Sequence, residues 1–170
     1  MTSSPFYGKY RGTVINNIDP LQIGRIQAIV PDVAGFFPSS WAMPCVPVAG
    51  INMGMFTVPS IGASVWVEFE RGDPDFPIWV GGYWGSAAET PLLAHSVLPG
   101  LAGITLQTTL KNGIVISDTP GPTGGIMIQT TLGAMISVSD VGITISNGKG
   151  AIITMLGPTT DINATALTII

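Results

Sequence analysis

Residues 103–118 and 125–140 are two copies of one pattern, offset by 22 residues. The first reads Gly103-Ile-Thr-Leu-Gln-Thr-Thr-Leu-Lys-Asn-Gly-Ile-Val-Ile-Ser-Asp118 and the second Gly125-Ile-Met-Ile-Gln-Thr-Thr-Leu-Gly-Ala-Met-Ile-Ser-Val-Ser-Asp140. Ile104, Leu106, Leu110, Ile114 and Ile116 correspond to Ile126, Ile128, Leu132, Ile136 and Val138. Aliphatic residues alternate with Thr, Ser and Gln, the period of two that gives a strand one dry and one wet face. A third, degenerate copy follows, with Gly142-Ile-Thr-Ile-Ser146 and Ala151-Ile-Ile-Thr154 turning at Asn147-Gly148. A single ribbon cannot hide such a dry face, and so few copies cannot bury it by stacking alone. Three chains around one axis would. The expected trimer core is therefore Ile104, Leu106, Leu110, Ile114, Ile116, Ile126, Ile128, Leu132, Ile136, Val138, Ile143 and Ile145, in an intertwined trimeric β-helix or β-prism stalk over 102–170.

Hydrophobic residues make up 46% of the chain and charged residues only 9%, against roughly a quarter charged in ordinary soluble domains. So little charge cannot solvate a large free surface, which points to burial in an assembly. A helical membrane span is excluded, because the most apolar stretch, 41–67, is broken by Pro44, Pro47 and Pro59. Residues 1–12 carry Lys9 and Arg11 with no apolar run behind them, so no signal peptide is expected and the chain should start in the cytoplasm. The net charge of −4 leaves little to neutralise a phosphate backbone, so nucleic acid is not an expected partner.

Segment 87–101, with Pro91, Pro99 and Gly100 and no periodic pattern, reads as a linker between a first domain, 1–86, and the stalk. The first domain holds most of the charges and all four tryptophans. Five strands are expected, over 10–16, 25–30, 41–48, 65–70 and 78–84. Asn17, Asp19, Pro20 and Gly24 turn the first pair. Pro44 and Pro47 place the third at a barrel edge, since they donate no ladder bond. Val65, Val67 and Phe69 alternate with Trp66, Glu68 and Glu70, as a barrel wall requires. The fold class predicted is all-β, an N-terminal OB-fold barrel followed by the C-terminal stalk.

The run Pro59-Ser-Ile-Gly62-Ala-Ser-Val65-Trp-Val67-Glu68-Phe69-Glu-Arg-Gly72-Asp73-Pro74-Asp75-Phe-Pro77-Ile78 resembles the OB-domain signature of phage baseplate V proteins and type VI secretion VgrG proteins. Gly24-Arg25-Ile26, Val30-Pro31-Asp32 and Ser40-Trp41 precede it in that family's order, and the resemblance covers residues 8–85. It implies an intertwined three-chain stalk after the barrel. It further implies a central spike of a contractile phage tail or phage-like injection system. Such a spike is a structural, non-enzymatic homotrimer at the baseplate. Its barrel end meets a hub protein, and its stalk touches the target membrane transiently as it punctures the envelope. The machine could equally be a phage tail, a bacteriocin, an extracellular injection particle or a secretion system.

The individual candidates each carry a plainer reading. Gly72, Asp73, Pro74 and Asp75 form the family-signature turn, with Gly72 at positive φ and Asp73 capping through its carboxylate. Together with Glu68 and Glu70 they are also the acids from which a cell-wall hydrolase would be built. A nucleic-acid-binding OB module is the other rival. His95, the only histidine, would meet its copies at a trimer axis and hold an ion, or serve as an ordinary hydrogen-bonded residue; no metal or other cofactor is expected. Cys45 reads as a small buried hydrophobe. Phe6, Tyr7 and Tyr10 would dock on the hub or pack on the barrel. Some short phage relatives end the stalk in a His-x-His metal apex. Here the last residues contain no histidine, so Leu167, Ile169 and Ile170 either receive a PAAR-type tip protein or close the last core layer.

Overall fold

The computed structural model describes residues 5–164 and 166–169, which divide into two compact units, Met1–Ala87 and Ala88–Ile170. In the first, β1 (Tyr10–Asn16), β2 (Gln27–Ile29), β3 (Met43–Pro44), β6 (Ser64–Phe69) and β7 (Pro77–Gly82) form one sheet in the order β2-β1-β6-β7-β3. A single helical turn, α1 (Pro31–Ala34), and a small hairpin of β4 (Ala49–Gly50) and β5 (Met53–Gly54) lie in the connections. Bridges Ile26↔Ala42 and Ile29↔Pro38 join the two ends of the sheet. Ile26 and Ala42 exchange backbone bonds of 3.2 and 2.8 Å. The sheet thus curls back on itself, as an OB barrel does.

Its core follows from alternation. Val65 and Val67 of β6 are fully buried and Phe69 nearly so, and they pack with Val14, Ile26, Ala28, Val30, Ala42 and Trp79. The indole Nε1 of Trp79 donates to the Gly24 carbonyl at 3.0 Å, so the one polar atom of that buried ring is satisfied. Outward-facing Trp66 packs at a tilt against Tyr83 with centroids 4.7 Å apart, and the Arg11 guanidinium lies over both rings.

Two strands are shorter than the sequence suggests. The second begins at Gln27 because the Arg25 N–H is taken by the Asp19 carboxylate at 3.2 Å. The third is confined to Met43–Pro44, at the edge of the sheet, where prolines are tolerated. Cys45 is exposed rather than buried. The alternation that turns Ala42 into the core turns Met43 and Cys45 out.

The second unit is one antiparallel meander of eight strands in sequence order. They are β8 (Gly103–Gln107), β9 (Gly113–Ser117), β10 (Gly125–Gln129), β11 (Met135–Val138), β12 (Ile143–Ser146), β13 (Ile152–Leu156), β14 (Thr159–Ile162) and β15 (Leu167–Ile169). The two clear repeat copies form β8–β9 and β10–β11, and the degenerate copy forms β12–β13. In its turn Asn147 Oδ1 accepts from the N–H groups of Lys149 and Ala151 at 2.8 and 3.0 Å. The hairpin β14–β15 extends the meander past anything the repeat predicted.

Candidate trimer interface

Antiparallel partners share a sheet face, so the register can be read straight across the meander. One row runs Ile104, Ile116, Ile126, Val138, Ile143, Met155, Thr160, Ile169. The row beside it runs Leu106, Ile114, Ile128, Ile136, Ile145, Ile153, Ile162, Leu167. The second row is aliphatic at every strand. Within one chain this face is bare: Ile104 is 60% exposed, and Ile116, Ile126, Ile128 and Ile136 lie between 43% and 46%. Leu110 and Leu132 occupy the turns after β8 and β10 and are also exposed. A contiguous apolar surface of this extent marks an interaction site.

The opposite face is partly covered within the chain. Segment 87–101, expected as a linker, contains 3₁₀ turns at Ala87–Glu89 and Leu92–Ser96, and the second of these packs on β8 and β9. The Leu93 N–H donates to Gln107 Oε1 at 2.8 Å and the Leu98 N–H to Thr119 Oγ1 at 3.1 Å. Gly113 gives Leu93 room; a Cβ there would stand 2.6 Å from Leu93 Cδ1. Val115, Ser117 and Thr119 are consequently buried, on the side expected to be wet. The lack of periodicity in 87–101 hid this cover, because 3₁₀ turns leave no 3.6-residue pattern. His95 lies within it, with Nε2 2.8 Å from Thr90 Oγ1.

At the other end of the meander Leu167 and Ile169 are 53% and 58% exposed on β15, on the same bare face. Ile170 lies outside the described residues.

On the barrel, the signature turn follows β6. Arg71 and Gly72 have φ of 54° and 78°. The Asp75 N–H donates to Asp73 Oδ1 at 3.0 Å, and the Ser40 hydroxyl to the Asp75 carbonyl at 2.7 Å. Phe6 N–H reaches the Gly72 carbonyl at 2.8 Å, so a Cβ on Gly72 would stand 2.7 Å from Pro5 Cβ. These contacts hold a tight reversal. Glu68 pairs with Lys9. Tyr10 packs edge-on against Phe6 and Phe69, and Phe6 is tilted against Phe69, while Tyr7 is 70% exposed. No group of three or more metal-ligating side chains occurs among the described residues.

Two features escaped sequence reasoning. Asp19 is nearly buried and accepts Nε and a terminal nitrogen of Arg25 at 3.0 and 2.6 Å, and the Arg25 guanidinium lies over Trp41. That guanidinium, aided by the N–H groups of Leu21, Ile23 and Arg25, holds the Asp19 carboxyl far below the usual range despite burial, which acts the other way. The sequence showed Asp19 only as a turn residue. The second feature is an apolar groove of about 350 Å³ lined by Ile23, Met43, Val48, Met53, Met55 and Phe56.

Comparison with protein families gives two matches. Residues 10–84 match the injector OB domain of the type VI secretion system and phage baseplate. Residues 103–168 match the phage baseplate V C-terminal trimerisation domain. Each match coincides with one sheet. No curated protein matches the chain.

Proposed function

This chain belongs to the phage baseplate V family of tail and injector proteins, and from that premise we propose that it is the central spike of a contractile tail or phage-like injection machine. The observation that carries this reading is the pair of cross-strand rows, apolar at all but one position, most open over β8 to β11 and confined to the unit that matches a trimerisation domain. Around a three-fold axis three such faces bury one another, and the core is built from Ile104, Leu106, Ile114, Ile116, Ile126, Ile128, Ile136, Val138, Ile143 and Ile145, with Leu110 and Leu132 at the turns. Load on a rod of interlocked strands must break many ladder bonds together, which suits puncturing an envelope.

In this reading the barrel is the baseplate end. Tyr7 and the Met-rich groove offer it a surface for a hub protein, since flexible thioethers adapt to a partner. Leu167 and Ile169 on the last strand offer a surface for a tip protein. The barrel acids serve architecture: Asp73 holds its turn, Glu68 pairs with Lys9, and Asp19 pairs with Arg25.

Light scattering on the purified protein tests the reading, with a trimer mass expected. A folded, β-rich monomer would sink it. Electron microscopy of the trimer with a candidate hub protein then tests the barrel end, where binding is expected and should be lost when Tyr7 and Phe56 are changed to Ala.

A further inference from the structure

Fifteen of the sixteen positions on the two rows are apolar. The exception is Thr160, between Met155 on β13 and Ile169 on β15. We propose that Thr160 fixes the register in which three copies assemble, its three hydroxyls meeting in a closed hydrogen-bonded ring inside an otherwise dry core. The proposal rests on the trimer reading above.

The repeat gives such a device a use. Sliding one chain by a hairpin sets Ile126 level with Ile104, Ile128 with Leu106, Ile136 with Ile114 and Val138 with Ile116. Where the slipped faces overlap, aliphatic still faces aliphatic, so the slip forfeits the burial of the end hairpins alone. Thr160 does distinguish the two alignments. In register, each hydroxyl donates to the next and accepts from the previous one, so all three are satisfied without water. Slipped by two strands, Thr160 of one chain stands level with Ile143 of its neighbours, and a hydroxyl is buried without a partner. A lone polar residue in a coiled-coil seam selects register by the same penalty.

The test uses protein labelled at methionine methyl groups, because Met155 is the direct cross-strand neighbour of Thr160. In a symmetric, in-register trimer the three Met155 methyls are equivalent and give one NMR resonance, assigned through Met155→Leu. Thr160→Val keeps the shape and removes the hydroxyl. It should retain the trimer mass by light scattering yet show two or more Met155 resonances, while Thr160→Ser should show one. Combining Thr160→Val with Val138→Thr moves the hydroxyl up the same row and should restore a single resonance. A Thr160→Val trimer with one resonance, loss of the trimer in that variant, or failure of the relocated hydroxyl to restore one signal would each overturn the proposal. A wild-type protein that scatters as a monomer would instead remove the trimer reading itself.

Discussion

The two units solve the problem of burial in opposite ways. The barrel closes its sheet through the Ile26↔Ala42 bridge and shuts Val14, Ile26, Val65 and Val67 away from water within one chain. The meander never closes. It leaves Ile104, Leu106, Ile114, Ile116 and their row-mates on β10 and β11 at 40% exposure or more, and buries Val115 and Ser117 on its other face instead. Alternation is equally regular in both, so pattern alone does not decide which sheet can stand by itself. Closure decides it.

The sharpest way to break that contrast is to put a charge on the open face. Ile136→Asp should abolish the trimer by light scattering, because three carboxylates would enter one dry core, while the near-ultraviolet signal of the barrel tryptophans persists. A truncation in the closed core should do the reverse. Ile26→Ala is expected to cost about 3 kcal/mol of barrel stability in denaturant titration and to leave the trimer mass unchanged.

Asp19→Asn should lower the barrel's denaturation midpoint by less than Ile26→Ala does, and should change its acid dependence. Since folding depresses the Asp19 pKa from 3.8, the stabilisation is present above that value and is lost as pH falls through the folded value. Wild type should therefore weaken on acidification below about pH 4, and Asp19→Asn should be flatter there. The smallest effect compares the repeat copies. Gln107→Ala removes the acceptor of the Leu93 N–H and should cost about 1 kcal/mol. Gln129→Ala, at the equivalent position on β10, should cost less; equal losses would mean that segment 87–101 contributes nothing.

Most of the architecture was legible because it rests on period-two alternation and turn residues. Val65, Val67 and Phe69 declared a wall, and Asn147-Gly148 declared a hairpin. The shortened strands were not legible, since they depend on where single N–H groups go: Arg25 to Asp19, and none from Pro44. The inward turn of Ala42, which exposes Cys45, depended on the phase of a strand only two residues long. For the bare face, the repeat predicted β8 to β13 and missed β14–β15, where Thr159-Thr160-Asp161-Ile162 breaks the aliphatic alternation. That same break carries the Thr160 proposal.

The sequential meander also bears on how the protein survives its own synthesis. Every strand pairs with its neighbour in sequence, so each hairpin can zip as soon as it exists. For a time, however, one chain displays a sticky sheet with open edges at β8 and β15, the template on which fibrils grow. The few charges of this unit stand mostly where they hinder that fate. Lys111, Asp118, Asp140 and Lys149 each lie in a connection between strands. Charges flanking apolar strands oppose non-specific stacking, leaving the strands between them free to wait for their partners.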